Sequence, residues 1–290
     1  FFNIHRKKQN KWTNYILTDE EINFIEDCKE KCNFTKIINF ASKIEVGIVT
    51  AANHFFILNQ DHATKYSLNE FAYPIVQKSS VIKNKFFLDD ELINSLNDDE
   101  IPAYLIQIDD KPKMQLDRKL RDYIAAGEEE LLHQRFKMKK RNNWYHVPEK
   151  WIADLFFIKR SHLFPRICIN KSKYRATDAL YHIKVLPLYE AESLACSFYN
   201  TLTFIDCELN GRYYGGGVLE LTPNEFKGTC IRYQRYNKSS QFDIDKFIKD
   251  KNIEGLLQYN NSIVLNELND NYRLKLNKIY QKLLARRLRK

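Results

Sequence analysis

The sequence predicts an α+β fold with mixed or antiparallel sheets, packed helices and a helical C-terminal segment. Apolar runs of strand length and uneven spacing are interrupted by helical patterns, without the regular alternation of a doubly wound parallel sheet. The last 50 residues show a helical pattern throughout. The Gly-x-Gly-x-x-Gly spacing of a dinucleotide-binding fold does not occur. A Rossmann-type catalytic domain is therefore not expected in this chain.

The elements of the first half follow from capping and periodicity. A capping box, Thr-Asp-Glu-Glu, predicts a helix that starts at Thr18. Two β-rich runs within 44–58 flank a polar interruption at 50–54, which predicts a hairpin or a loop. The pattern further predicts helices at 68–73, 91–96 and 116–124, the last ended by Gly127, and strands at 86–88 and 103–108.

The second half predicts strands at 152–158 and 166–169 and a helix at 190–203. The polar residues 238–241 are interpreted as a linker. Helices are expected after it at 243–248 and at 262–290, where the segment is long and amphipathic. The chain therefore divides into a domain at 1–240 and a helical C-terminal subdomain at 241–290.

The composition favours a polyanionic partner. The chain has 46 Lys and Arg against 37 Asp and Glu, a net charge of +9 and a pI near 9.1. Its six cysteines form no Cys-x-x-Cys pair, and we interpret them as buried thiols in a reducing cytoplasm. No run of 18 apolar residues occurs, so we expect no membrane partner. Because the chain begins with Phe1, we expect a fragment of a longer protein.

A glycine-rich stretch at 210–223 is the strongest candidate for a binding loop. Gly215, Gly216 and Gly217 directly follow Arg212, Tyr213 and Tyr214 and precede an apolar alternation. Three consecutive glycines indicate positive φ angles or the close approach of another molecule. A guanidinium and two phenols beside them suit a phosphate backbone. The alternative is a tight turn into a strand that binds no ligand.

Three other stretches carry candidate binding residues. In the 50–54 interruption, the amide of Asn53 could read an adenine edge or cap its own turn. Five cations lie within 135–141 and are followed by Trp144 and Tyr145, which indicates either a nucleic-acid contact or a solvated charge run. The loop and strand at 170–183 carry cationic and polar side chains that suit phosphates, namely Lys171, Lys173, Arg175, Thr177 and His182.

Catalytic motifs are sparse. Gly-x-Ser-x-Gly and His-Glu-x-x-His are both absent. Two carboxylate–lysine triplets, Asp109-Asp-Lys111 and Asp27-Cys-Lys29, could belong to a metal-dependent nuclease, but such triplets arise easily in a chain that is 29% charged. We predict no catalytic residue and no metal ligand, and interpret the chain as a binder.

Four stretches together resemble the C-terminal half of the adenine-specific (N6) DNA methyltransferases of restriction-modification systems, in which the catalytic domain precedes the target-recognition domain. The stretches are VGIVTAANHFFI at 46–57, YIAAGE at 123–128 with RNNWY at 141–145, PRI at 165–167 with ATDALYH at 176–182, and ELNGRYYGGGVLELTP at 208–223. Their order and spacing match the family across nearly the whole chain. Two positions depart from the family pattern: Ala51 stands where glycine is common, and Asp178 where asparagine is common.

The resemblance implies that this chain binds double-stranded DNA and recognises the target site. Arg212, Tyr213, Arg141 and the Gly215–Gly217 backbone would approach DNA, with Lys171, Lys173 and Arg175 on phosphates and Thr50, Asn53 and Thr177 as candidate readers. S-adenosylmethionine would bind a catalytic domain N-terminal to residue 1, and this chain would hold no cofactor. No two prolines are adjacent, so the family's Asn/Asp-Pro-Pro-Tyr motif is absent and the chain alone should be inactive.

Two other functions remain open at this point. The chain could be a stand-alone restriction endonuclease, which magnesium-dependent cleavage of plasmid DNA would reveal. It could instead be a protein-interaction module whose basic surface docks an acidic partner. Such a module would ignore DNA at low salt.

Overall fold

A computed structural model describes residues 16–289 of the chain. Within these residues the helices are α1 (Asp19–Lys31), α2 (Asn53–Phe56), α3 (Gln60–Lys65), α4 (Asp90–Asp98), α5 (Arg118–Glu129), α6 (Ala191–Phe198), α7 (Thr201–Asn210), α8 (Pro223–Gly228), α9 (Lys238–Lys249), α10 (Ile253–Val264) and α11 (Asp270–Leu288). The strands are β1 (Thr35–Lys36), β2 (Ala41–Val46), β3 (Ile57–Leu58), β4 (Ala72–Val76), β5 (Phe87–Leu88), β6 (Tyr104–Ile106), β7 (Leu155–Ile158), β8 (Arg160–Ser161), β9 (Ile167–Asn170), β10 (Arg175–Ala176), β11 (Leu180–Val185), β12 (Arg212–Tyr214), β13 (Val218–Glu220) and β14 (Cys230–Ile231). The α+β prediction is confirmed.

A five-stranded central sheet has the order β2-β11-β7-β9-β5. Its pairs are antiparallel except β5–β9, which is parallel. Side chains alternate between its two faces. Leu155 and Phe157 lie in a core with α1 and the helices from α6 onward, whereas Phe156 and Ile158 lie in a second core with α4. The central sheet is therefore buried on both faces, which explains the nearly continuous apolar runs of β7 and β9.

Three smaller sheets surround this centre. A four-stranded sheet, β10-β4-β6-β3, has its own core with α2 and α5. A three-stranded sheet, β12-β13-β8, contains the glycine-rich stretch, and β1 pairs with β14. The first core also contains Ile244, Leu256 and Leu283 of α9, α10 and α11, together with Phe157 of the central sheet. The predicted subdomain at 241–290 thus contributes to the same hydrophobic cluster as the first 240 residues.

Helix ends follow the capping chemistry of the sequence. At α1 the Glu21 amide donates to Thr18 Oγ1 at 3.1 Å, and the Thr18 amide donates to Glu21 Oε2 at 2.8 Å, so the predicted capping box is confirmed. The single helix predicted at 190–203 is wrong, because Asn200 interrupts it and caps α7. Its Oδ1 accepts from the Thr203 amide at 2.9 Å.

Other sequence predictions were wrong for identifiable reasons. The helix at 68–73 reduces to one 3-10 turn, because Pro74 disfavours a helical Tyr73 and β4 begins at Ala72. Of the two alternatives for the interruption at 50–54, the hairpin does not form, because β2 and β3 belong to different sheets, and the chain there is a loop that leads into α2. Residues 238–241 are the first turn of α9 rather than a linker. The helix predicted at 262–290 is the end of α10 and the whole of α11, which Asn269 caps.

The prediction that Gly127 ends the helix is wrong, because Gly127 lies inside α5. A Cβ at this position would meet Trp144 Cη2 at 2.5 Å and Phe55 Cε2 at 2.7 Å. The glycine therefore lets two aromatic rings approach the helix backbone. It is a close-packing glycine rather than a helix stop.

Candidate nucleic-acid interface

One end of the central sheet gathers three loops. β2 ends with Val46 opposite Tyr181, and β7 ends with Ile158 opposite Leu180, at the start of β11. The loops after β2 and β7 and the turn before β11 therefore lie side by side. We call residues 47–53, 159–160 and 177–179 the loop edge. The Ile48 amide donates to the Ala176 carbonyl at 2.8 Å, and the Asp178 amide donates to the Ile48 carbonyl at 3.1 Å.

Gly47 and Thr177 lie close together within the loop edge. A Cβ on Gly47 would lie 2.3 Å from the Thr177 carbonyl oxygen, so only glycine fits there. The Thr177 side chain is 1% exposed, and its Oγ1 donates to the Gln77 carbonyl at 2.7 Å. Its hydroxyl thus fixes the loop from inside. Base reading by Thr177 stays a prediction that would require this hydroxyl to leave the Gln77 carbonyl.

The 50–53 segment is a tight turn fixed by its own side chains. Thr50 is 1% exposed; its hydroxyl donates to Asn53 Oδ1 and accepts from the Ala52 amide at 3.2 Å. Asn53 itself is exposed at the first position of α2. Its carbonyl oxygen can accept a second hydrogen bond from a ligand. Of these two predicted readers, Asn53 is therefore the accessible one.

Ala51 adopts a left-handed conformation with φ of 67°. The backbone there has the geometry that a glycine would suit. The Ala side chain therefore does not abolish the turn. It makes the turn costlier by about 1–2 kcal/mol, the usual penalty for a left-handed L-residue.

Arg141 fixes this turn rather than reaching outward. Its guanidinium donates to the carbonyls of Val49 at 3.0 Å, Thr50 at 2.8 Å and Trp144 at 3.1 Å. It also lies over the Phe56 ring, 5.7 Å from the centroid. Burial lowers the pKa of Arg141. The half-buried guanidinium of Arg141 thus packs against the backbone of the 49–53 segment.

Arg141 closes a cationic segment that we call the basic turn, residues 135–141. At its start Arg135 Nη1 approaches the Ala51 carbonyl at 3.5 Å, so both ends of the basic turn contact the 49–53 segment. The aromatic residues after it point inward. Trp144 lies 5.5 Å from the Phe55 ring, and Tyr145 is 4% exposed with its hydroxyl donating to the Lys111 carbonyl at 2.6 Å.

The glycine-rich stretch forms a hairpin. β12 and β13 pair antiparallel around a 3-10 turn at Gly215–Gly217. Gly216 and Gly217 have φ of 72° and 74°, which explains glycine at both positions. A Cβ on Gly215 or Gly216 would meet nothing within 4 Å, whereas one on Gly217 would lie 2.8 Å from Leu288 Cδ2. The first two glycines thus present open backbone, and the third packs against α11.

The hairpin is joined to the loop edge through Lys159. Its amide donates to the Ala179 carbonyl at 3.4 Å, and its carbonyl accepts from the Leu221 amide at 3.3 Å. Arg212 has a 57% exposed side chain, and its Nε lies 3.1 Å from Glu225 Oε1. Tyr213 is half-buried, and burial raises its pKa. The hairpin and the loop edge are therefore neighbours, joined by the backbone of Lys159.

The buried side chain of Arg287 holds the hairpin from the protein interior. The sequence did not indicate this role. Its side chain and that of Glu208 are both 0% exposed. The guanidinium donates to Glu208 at 2.8–3.1 Å, to the Leu163 carbonyl at 3.1 Å, and to the carbonyls of His162 and Gly217. The cations at the C-terminal end predict an exposed helix end, yet Arg287 is a buried residue with a structural role.

The cations at 170–175 lie in two different parts of the structure. Lys171 follows β9 at the opposite end of the central sheet, near Asp154, and pairs with Glu192. Lys173 is exposed in the same loop with φ of 56°. Arg175 lies over the Tyr73 ring at 4.2 Å, in the strand that leads to Thr177. The structure thus brings Arg175, but not Lys171, near the loop edge.

The two nuclease-like triplets are parts of ordinary ion pairs. Asp109 binds Lys111 at 2.7 Å, while Asp27 binds Lys31 at 2.8 Å and Lys29 binds Asp206 at 2.6 Å. Across residues 16–289 no group of three or more His, Cys, Asp or Glu residues could hold a metal ion. In the same residues no helix is both long and apolar enough to cross a membrane.

Comparison with known proteins gives a family and a fold. The family model "Type II methyltransferase M.Eco57I, C-terminal domain" matches residues 9–265. The crystal structure of the type IIG restriction endonuclease BpuSI matches at 12% identity with a TM-score of 0.54, covering 92% of this chain and 33% of that one. The type IIL restriction-modification enzyme MmeI, solved in complex with DNA, matches at 12% identity with a TM-score of 0.43, covering 84% of this chain and 36% of that one. This chain therefore spans about a third of the length of both proteins. No curated protein matches it.

Proposed function

Because the chain belongs to the family of the type II methyltransferase M.Eco57I C-terminal domain, we propose that it binds double-stranded DNA and recognises the target site. In this proposal the chain is the target-recognition part of an adenine-N6 methyltransferase of a restriction-modification system. S-adenosylmethionine and methyl transfer belong to a separate catalytic domain. This chain holds the duplex so that the target adenine can reach that domain.

The observation that carries the proposal is the basic turn against the loop edge. Its five cations, Arg135, Lys137, Lys139, Lys140 and Arg141, form no ion pair with a carboxylate anywhere in the described part of the chain. Such a concentration of unpaired charge attracts a polyanion. The accessible amide of Asn53 lies directly beside it. Cations for phosphates and an amide for a base edge are the two kinds of contact that a DNA-recognising surface needs.

The glycine-rich hairpin, which is joined to the loop edge through Lys159, supports the same proposal. Gly215 and Gly216 leave open space above their backbone, and Arg212 is exposed beside them. A phosphate can approach such a backbone closely, because no Cβ stands in its way. Arg160 lies nearby with a 62% exposed side chain that pairs with Glu220 at 2.5 Å, and its guanidinium is 5.9 Å from the centroid of the exposed Tyr214 ring.

The test is the salt dependence of binding to a mixed-sequence duplex. Each neutralised phosphate should contribute about −0.9 to the slope of log K against log salt concentration. The double variant Lys139→Glu/Lys140→Glu should bind more weakly and with a slope shallower by about 2. The matched control is Lys238→Glu/Lys246→Glu, which makes the same charge change at two exposed positions of α9, away from the interface.

Two results would contradict the proposal. One is a wild-type chain that fails to bind the duplex at about 50 mM salt, where phosphate contacts are strong. The other is an equal loss of affinity in both double variants. That result would mean that only net charge matters, and that the basic turn is not a binding surface.

A further inference from the structure

The basic turn exposes a large apolar side chain at its tip. Phe136 is 73% exposed and lies between Arg135 and Lys137. The other strongly exposed phenylalanine in residues 16–289 is Phe242, at 65% exposure, whose ring lies 6.1 Å from Phe87. Phe136 has no ring partner among the described residues, and Lys140 Nζ lies 4.3 Å from its ring centroid. The Phe136 ring is therefore mostly exposed to water, with the Lys140 ammonium next to it.

The tip that carries Phe136 is firmly anchored. Leu132 and Met138 on either side of it are 0% exposed in the core of the four-stranded sheet. The amides of Met138 and Lys139 both donate to the Arg135 carbonyl, at 2.9 and 3.0 Å. Contacts of Arg135 and Arg141 with the 49–53 segment fix both ends. A ring presented on such a support loses little conformational freedom when it binds.

The charge around Phe136 selects the class of partner. Residues 131–148 contain no Asp or Glu, and the cations around the ring pair with no carboxylate in residues 16–289. An apolar pocket on a protein would bury the ring but leave these cations without counter-ions. A duplex offers stacked bases between two lines of phosphate, so it can take the ring and neutralise the cations together.

We propose that Phe136 inserts its ring at a base step of bound duplex DNA while Lys137, Lys139 and Lys140 contact the flanking phosphates. The inference rests on the proposed DNA binding and adds a contact that distorts the duplex. The opened step lies beside the 49–53 segment, because the basic turn contacts that segment at both ends. Unstacking one step there lowers the cost of reaching a base edge with Asn53.

The experiment uses the 290-residue chain and a mixed-sequence duplex labelled with the fluorescent adenine analogue aminopurine. Wild-type chain should raise the aminopurine fluorescence, because an unstacked analogue is no longer quenched by its neighbours. Phe136→Ala should abolish the rise and weaken affinity about tenfold, as expected for the loss of one aromatic–base contact. Its salt slope should not change, because no charge is removed.

Two further variants keep this test specific. Phe136→Trp retains a flat ring and should restore both affinity and fluorescence. Phe242→Ala removes a ring of similar exposure from α9 and should change neither quantity. Because Phe136 and Phe242 are mainly in water, both alanine variants should unfold at the wild-type temperature.

The possible outcomes separate the two proposals. If wild type binds DNA and Phe136→Ala matches it in affinity and fluorescence, insertion is wrong and DNA binding stands. If Phe242→Ala loses as much as Phe136→Ala, the assigned position is wrong. If wild type binds no DNA, the proposed function fails and the insertion fails with it.

Discussion

Replacing Arg287 with methionine should destabilise the protein strongly. The substitution leaves the Glu208 carboxylate buried without its counter-ion, since both side chains are 0% exposed. Removing one partner of a buried ion pair costs about 3–5 kcal/mol. The carbonyls of His162, Leu163 and Gly217 also lose their donor, which places the expected loss at the upper end of that range.

The assay is urea unfolding of Arg287→Met beside Arg286→Met, its neighbour on α11. Arg286 is exposed, so its variant should stay within about 0.5 kcal/mol of wild type. The double variant Arg287→Met/Glu208→Leu removes both charges and should recover most of the lost stability. An Arg287→Met protein within about 1 kcal/mol of wild type would refute the buried pair. It would also remove the anchor that we assign to the hairpin.

Two further predictions concern other parts of the loop edge and its supporting sheet. Ala51→Gly should stabilise the protein by about 0.5–1 kcal/mol in urea unfolding, because the relief of a left-handed φ of 67° is partly offset by the larger backbone entropy that glycine loses on folding. Ala126→Gly within α5, where φ is helical, should instead destabilise the protein by about 1 kcal/mol. Burial lowers the pKa of His182 from 6.5 to about 4, so the unfolded chain binds more protons between these values. The free energy of unfolding should therefore fall by up to roughly 3 kcal/mol as the pH drops from about 6.5 to about 4, and His182→Phe should remove that part of the pH dependence.

Features that depend on neighbours in sequence were predicted well. The capping box of α1 needs only Thr18 and Glu21, which are three residues apart. The strands around Phe87, Phe157 and Cys168 were predicted from short apolar runs, and a turn at the three glycines from their backbone freedom. In each case the determining residues lie within one turn or one strand.

Features that depend on distant partners could not be predicted. The sequence around 135–145 indicates a cationic-aromatic cluster with Trp144 and Tyr145. In the structure, Gly127 of α5 leaves space for Trp144 against the core, Tyr145 is buried, and Phe136 is the exposed ring. In the same way, Arg287 is one of four cations at the C-terminal end, and its partner Glu208 lies 79 residues away. No pattern among neighbouring residues indicates that the side chains of Trp144 and Arg287 point into the protein.

The buried pair of Arg287 and Glu208 has a bearing on how the hairpin functions. An ion pair inside a protein contributes little net stability compared with apolar residues of the same size, so its value lies in directing hydrogen bonds. Here the guanidinium joins α11 and α7 to the Gly217 carbonyl of the hairpin. Gly217 packs on Leu288 at the same place, while Gly215 and Gly216 remain open. The orientation of the open glycines is thus set by the helical segment that the sequence assigns to a separate subdomain, and a change in α11 would reach the proposed DNA surface through Arg287 and Leu288.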